Sequence, residues 1–449
     1  MAGNNTASQF SADIEAYIAD ETLPLARRQL VAYQFGDPLE LPEGRGTTYT
    51  ATRYNRIPLP FAPLSEGVAP VGETMTIAQV SATAQQWGDK VTITDVAELT
   101  IKHPLFKKAI ELTGLQVSET LERNTFNNLM AGTQVNYVNT RGARASLVAG
   151  DVLNSHEVNR MVAALQTIGA PRFMGDELTD TMLEAEQGGS KASDNPRGMA
   201  HYTALIHPLV AGDIREDNSV KLAWTYSDIN RLYNYEVGEW CGARFCMSNL
   251  IPTFTGIALV TGTPSASGGS LATNSYFIKV TGSDGQNQYE SNIYQVSGSL
   301  SVTGPSGSIS VTVPSTAGFT YNVYIGTTNA PTNLGLSVSG PTTGPLAGQA
   351  TQIAPGATAI ITGIGLAQTP PAAPATGITV YPTFVIGRGA YGQVVLKNVE
   401  FTYLKTADKS DPLNQLRVVG WKTFYGTLIQ NQLFFGRIES VSNFSATFG

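Results

Sequence analysis

Apolar and polar residues follow two periods along this chain, and the longest run of the helical one lies between His103 and Gly132. Phe106 and Ile110, Val117 and Leu121, then Phe126, Leu129 and Met130 recur at three- and four-residue steps, with Lys107, Lys108, Glu111, Glu119, Glu122 and Arg123 mostly between them. That spacing predicts one amphipathic helix with a single apolar stripe. Pro104 suits its first turn, where the missing N–H is not needed, and Gly132 suits its exit. At about 1.5 Å per residue the rod is roughly 40 Å long. Gly114 inside it costs about 1 kcal/mol relative to Ala.

Before this helix, residues 8–35 carry a shorter helical pattern (Phe10, Ile14, Ile18, Leu23, Leu25, Leu30) interrupted at Pro24, which reads as an arm that packs on something else. From Arg45 the period changes to two. Thr48, Thr50 and Thr52 alternate with Tyr49, Ala51 and Arg53, a Pro-rich tip follows, and the β-prone run TMTIAQVSATAQQWGDKVTITD comes back. The two runs predict an extended hairpin over 45–94. A lone hairpin is marginal in water, so its stability must come from contacts beyond itself. Asp95 is expected to cap a short helical lead-in.

After the long helix, Ser155–Ile168 reads as a second amphipathic helix capped by Ser155. Residues 175–198 read as an acidic, solvated loop without Ca-loop spacing. HYTALIHPLVAGDIRE reads as a buried strand and a turn, and 225–252 as a helical segment and another strand. A sharp boundary follows Pro252. Between Thr253 and Gly377 the only charged residues are Lys279, Asp284 and Glu290, and Gly, Ser, Thr and Pro dominate. SYFIKVTGSDGQNQYESNIYQVS, SISVTVPS and FTYNVYIGTTN are short strands between turn signals, the pattern of an all-β sandwich, with TPSASGGS and QTPPAAPATG as linkers. The earlier style of sequence resumes at Ile378.

Composition narrows the function. Charged residues are 14% of the chain against about 25% in ordinary globular proteins, which suits a subunit that buries surface against other copies or a chain with a large β-rich, weakly charged part. A net charge of -7 argues against a chain that grips nucleic acid electrostatically. The start lacks the charged and apolar regions of a signal peptide, and no run is long enough to span a membrane. Cys241 and Cys246 lack partners at metal spacing and read as buried free thiols.

Candidate chemistry is sparse. Gly387, Gly389 and Gly392 fit G-x-G-x-x-G-x-V, yet a dinucleotide site needs a helix opening at the third glycine, and QVVLKNVEF is a strand former. The expectation is a turn between two strands. His201 and His207 share a strand face at a separation too large for one metal, and His103 and His156 sit at helix starts. The carboxylate pairs Glu184 with Glu186 and Asp408 with Asp411 lie in polar loops. Nothing here points to an enzyme or a cofactor.

Arm, long hairpin, helix, mixed portion and returning β segment resemble, in that order, the Hong Kong 97-like fold of major capsid proteins from tailed double-stranded DNA bacteriophages. The residues that carry the resemblance are LSEGVAPVGE (Leu64 to Glu73), QWGDKVTITDVAEL leading into the helix, AYG (Ala390 to Gly392) and DPLNQLRVVGWKT (Asp411 to Thr423). It covers about residues 8–252 and 378–440. SYFIKVT with SDGQNQYES and TYNVYIGTT resembles immunoglobulin-like and fibronectin type III modules.

The resemblance implies an α+β fold with an N-terminal arm (1–44), an E-loop hairpin (45–94), a spine helix and peripheral domain (95–150), an axial domain with a return to the peripheral domain (151–252), an inserted immunoglobulin-like domain (253–377), and C-terminal axial and peripheral strands (378–449). It implies a coat protein that self-assembles into hexamers and pentamers of an icosahedral head around DNA that it does not recognise specifically. Scaffolding, portal and decoration proteins would be further partners, with no membrane involved; the near-absence of charge in 253–377 and its linkers predict a domain displayed on the outer surface, in weak contact with host surface or glycan. The expected location is the virion, after synthesis in the bacterial cytoplasm. The assembly contacts implied are Arg53, Arg56, Pro58, Pro60, Phe61, Glu66, Glu73, Trp87, Phe106, Ile110, Glu119 and Arg123. A β-rich tail or adhesion protein is the alternative, which leaves the long helix and hairpin idle.

Overall fold

The computed structural model describes residues 31–42, 44–55, 57–59, 63, 72–100, 105–173, 201–217, 236–257, 260, 262–284, 290, 292–295, 298–316, 319–338, 348–349, 353–404 and 415–445. The arm at 8–30, the acidic loop at 175–198, most of the hairpin tip, His103 and Asp408 with Asp411 lie outside them. In order, the chain forms β1 (Asp37–Glu40), β2 (Thr48–Tyr54), β3 (Ile77–Thr83), β4 (Gln85–Thr94), α1 (Asp95–Thr100), α2 (Leu105–Leu129), β5 (Val135–Tyr137), α3 (Ser155–Ile168) and β6 (Tyr202–Ile206). There follow α4 (Pro208–Glu216), β7 (Glu236–Trp240), β8 (Ala243–Met247), β9 (Phe254–Ile257), β10 (Gly262–Ser265), β11 (Asn274–Asp284), β12 (Asn292–Gln295), β13 (Leu300–Val302) and β14 (Ser308–Thr312). The last are β15 (Phe319–Gly326), β16 (Asn333–Ser337), β17 (Thr358–Ala367), β18 (Thr379–Ile386), β19 (Tyr391–Leu404), β20 (Leu416–Ile429) and β21 (Phe435–Val441). This is a strand-rich α+β chain.

The described residues fall into two compact units, one within 86–118 and 398–423, the other within 29–85, 119–397 and 424–449. In the first unit the start of α2 packs through Phe106, Ala109 and Ile110 on Ile93 and Val419. Asp89 accepts from Gln116 Nε2 at 2.6 Å, and Gln116 Oε1 accepts from Trp421 Nε1 at 3.1 Å. The Thr94 hydroxyl accepts from the Ala97 N–H at 3.3 Å, so Thr94 caps α1. Asp95, expected in that role, is its first helical residue because its own carboxylate reaches only the next N–H.

The larger unit is built on β18, whose pattern is buried almost throughout. One edge of β18 pairs with β21 over its whole length, and the other pairs with β9 near Thr379 and with β6 at Phe384–Ile386. Phe126, Leu129, Val158, Leu165, Leu205, Phe254 and Phe435 join one core around this sheet. α3 spans the range expected, but its cap is Asn154, whose side chain accepts from the Glu157 N–H, and Ser155 already lies inside the helix.

Two expectations about 201–252 change. The residues after β6 form the helix α4 rather than a turn, since Pro208 at its start has no N–H to lose and His207 caps it. His207 therefore leaves the strand face that it was expected to share with His201. The stretch ending at Met247 makes two strands, not one, because Cys241 and Gly242 turn with positive φ between β7 and β8. Cys241 is half-buried rather than fully buried, and burial pushes its thiol up to about 12.

Strands β11, β13, β14, β15 and β17 share a core of their own, which includes Leu271, Ile278, Val311, Tyr321, Val323 and Ile361. This region leaves the body through β9 and returns through β18, which are paired neighbours with Thr255 facing Thr379. β12 also pairs in parallel with β9. The expected linkers are accordingly not free tethers. Residues 262–265 are the strand β10, and the Pro371 and Ala372 carbonyls accept from Lys279 Nζ and Arg144 Nη1, each at 2.8 Å.

His207 makes stability depend on pH. Its Nδ1 accepts from the Leu209 N–H at 3.3 Å and its ring lies 4.9 Å from that of Tyr381. Burial pushes the imidazole down to about 4 from its ordinary 6.5. The unfolded chain therefore takes up this proton first, and the contribution, complete above about 6.5, is lost as pH falls toward about 4. Thermal unfolding followed by circular dichroism at pH 7.5 and pH 5 should show this fall. In His207→Asn, which keeps a capping acceptor that does not titrate, the fall should be smaller.

Candidate assembly surface

β2 and β3 form a two-stranded ribbon in register from Thr48 opposite Thr83 to Tyr54 opposite Ile77. The ribbon is shorter than the expected hairpin. Its returning strand breaks at Ala84, which is buried against Leu41, Val394 and Leu428, and β4 then joins the separate sheet β1-β19-β20-β4. Tyr49, Ala51, Val80 and Ala82 pack the base of the ribbon on that small core. Beyond it no such support is found among the described residues. Tyr54 is 67% exposed, Met75 65% and Leu59 86%, with Ile57 and Ile77 also exposed.

Arg53, Pro58 and Glu73 are exposed on this outer half, and Arg56, Pro60, Phe61 and Glu66 lie outside the described residues. In the first unit Trp87 and Ile110 are half-buried, while Phe106 is buried in that unit's own core. Glu119 and Arg123 are half-buried on α2. The first unit also exposes apolar side chains, with Leu99 at 84% and Val96 at 63% on α1, and with Phe401 and Tyr403 stacked at 6.2 Å on β19.

Sequence reasoning missed Glu122. Placed on the polar side of the helix pattern, it is in fact fully buried. Its Oε1 accepts from the Val31 and Ala32 N–H groups, each at 2.6 Å, and its Oε2 from that of Tyr33 at 2.9 Å. These donors begin a 3-10 turn at Ala32–Phe35. Burial, partly offset by the three N–H groups, raises the carboxyl pKa. The signal was present: Glu122 precedes Phe126 by four residues and Leu129 by seven, so it shares their face.

The glycine motif is a turn between strands, as expected. Gly389 takes a φ of 71° between β18 and β19, and no helix opens there. A Cβ on Gly392 would lie 2.4 Å from Leu39, and one on Gly387 2.7 Å from the Pro171 carbonyl. Two of the motif's glycines thus permit close packing. Among the described residues no group of three or more His, Cys, Asp or Glu could hold a metal ion, and no helix is long and apolar enough to cross a membrane.

No family model matches the chain, and no curated protein does. Among solved structures, a chain in the capsid of Ralstonia phage GP4 aligns with a TM-score of 0.50 at 8% identity, covering 96% of this chain and 95% of that one. A chain in the capsid structure of Cyanophage P-SCSP1u aligns at 0.49 and 10% identity, over 97% and 94% of the two chains. One in the Cyanophage Pam1 capsid asymmetric unit aligns at 0.49 and 11%, over 98% and 99%. The fold shared with the first of these is that of a phage capsid chain.

Glu122 can be tested directly. Glu122→Ala takes the acceptor from two buried N–H groups, those of Val31 and Ala32, and from the part-buried one of Tyr33, and should destabilise the protein by about 3 kcal/mol. Glu122→Gln keeps one oxygen and should cost less. Urea unfolding checks both, as a lower midpoint at unchanged slope.

Proposed function

We propose that this chain is the major capsid protein of a tailed bacteriophage, with a Hong Kong 97-like fold, assembling into hexamers and pentamers of an icosahedral head around double-stranded DNA. The observation that carries the reading is the ribbon β2–β3. Tyr54 at its outer end, and Leu59 and Met75 in the segments just beyond its two strands, are exposed, and a two-stranded sheet is marginal by itself. Such a segment gains stability when laid on another copy of the chain. The likeness to the Ralstonia phage GP4 capsid over nearly the whole length supports the same reading.

In this reading 1–44 is the arm, 45–94 the E-loop, 95–150 the spine helix and peripheral domain, 151–252 the axial domain with its return, 253–377 an immunoglobulin-like insertion, and 378–449 the C-terminal strands. Arg53, Pro58, Glu73 and the exposed apolar residues beside them are the contact set on the ribbon. The acidic chain holds phosphates weakly, which lets the genome move during filling and release. The insertion is displayed outward and meets host surface or glycan. The protein's place is the virion after synthesis in the host cytoplasm, where scaffolding, portal and decoration proteins join it.

Two experiments test this. Leu59→Ser with Met75→Ser alters only exposed side chains, so the unfolding free energy of the free subunit should change by less than about 0.5 kcal/mol. Shells seen by electron microscopy should nevertheless become scarce. Full shell yield from the double variant would remove the ribbon from assembly. Deleting 258–377, which keeps β9 on β18, should leave shells intact, and loss of shells would make the insertion a clamp between subunits.

A further inference from the structure

Two guanidinium groups share one buried carboxylate in the larger unit. Arg144 donates through Nε at 2.7 Å and Nη2 at 2.5 Å to Glu439, and Arg437 Nε lies 2.9 Å from the same side chain. Arg144 is 5% exposed and Glu439 fully buried.

Beside Arg144 opens a cavity of roughly 330 Å³, lined also by Lys279, Tyr137, Asn329, Phe277 and Pro331. Its volume falls in the range of small-molecule sites. Three of the five guanidinium N–H groups of Arg144 are used on Glu439 and the Ala372 carbonyl. Lys279 Nζ donates to the Pro371 carbonyl. Glu290, a carboxylate near Lys279, already accepts from Asn322 Nδ2 and Tyr324 Oη. The wall thus joins spare cationic donors to an apolar surface from Phe277 and Pro331.

We propose that this cavity binds a small organic anion, one carboxylate or phosphate on a compact apolar body, with the charged group on Arg144 and Lys279 and the apolar part against Phe277 and Pro331. Such a ligand places its negative charge beside two cations of the wall, Arg144 and Lys279. It also favours a charged Lys279, whose amine burial, aided by Arg144 and opposed by Glu290, pushes down to about 8. The cavity lies where the charge-poor insertion meets the body, so an occupant would join the two.

The test is isothermal titration calorimetry on the full chain with phenyl phosphate, benzoate and inorganic phosphate as probes. Saturable binding of phenyl phosphate or benzoate is expected, with inorganic phosphate at least about tenfold weaker for want of the apolar contact. Lys279→Gln should weaken the organic probes by about tenfold through loss of a charge-assisted bond. Asn329→Asp, at an exposed position of the wall, should weaken them by repulsion without disturbing the fold. No saturable heat from either organic probe overturns the site. So does unchanged binding in Asn329→Asp, or inorganic phosphate binding as tightly as phenyl phosphate. The readout is binding rather than assembly, so its failure leaves the capsid reading standing.

Discussion

One buried carboxylate holds the start of the described chain to its longest helix. Moving a carboxylate out of water is unfavourable unless donors replace the water, and the 3-10 turn at Ala32–Phe35 has N–H groups at its start that would otherwise be orphans. Glu122 and those three N–H groups solve each other's problem. The turn is then held from its other side, where the hydroxyl of Tyr391 donates to the Ala32 carbonyl and Gln393 Nε2 to that of Tyr33 at 2.6 Å. Gly36 permits that approach, since a Cβ there would meet both side chains at 2.8 Å. The parallel pairing of β1 with β19 starts one residue later, at Asp37. Helix, turn and strand therefore meet at a seam that Glu122 holds from one side and Tyr391 and Gln393 from the other.

Much of the fold was legible because its signals are local. The three- and four-residue steps around Phe106 and Phe126 located α2, the alternation of threonines located β2, and Gly389 between strand formers marked a turn. What escaped was decided by tertiary contact. Ala84 breaks the returning strand because a small residue is needed in the core with Val394 and Leu428, and a run of β-prone residues cannot show that. The caps of α1 and α3 moved one residue upstream because Thr94 and Asn154 are also capping types. Glu122 was assigned by charge, although its spacing from Leu129 placed it on the buried face. For the candidate site, a ribbon that leaves side chains open to another partner was foreseeable from the hairpin pattern, whereas the ion set at Arg144 joins residues nearly three hundred positions apart.

The charge-poor region between β9 and β18 is tied to the rest of the larger unit at both of its ends. Its exit and entry strands are adjacent in one sheet, so the break in the chain appears in space as a hydrogen-bonded pair. The β12–β9 pairing extends that sheet into the module. Lys279 and Arg144 then tie the return segment by its carbonyls. With its strands joined to the body's sheet in this way, the module is positioned by backbone hydrogen bonds, which depend little on side-chain identity.

The ribbon carries a consequence for the order of events during growth of an assembly. Both of its strands are edge strands, with a row of N–H and C=O groups turned away from the pair, and such rows accept any extended segment that arrives. A correct neighbour and a wrong one are thus distinguished by side-chain fit, while the backbone attracts both. Fidelity is then a matter of supply. In an assembly of the kind proposed, free subunits that accumulate faster than growing edges consume them would pair ribbon with ribbon and precipitate before a particle closes.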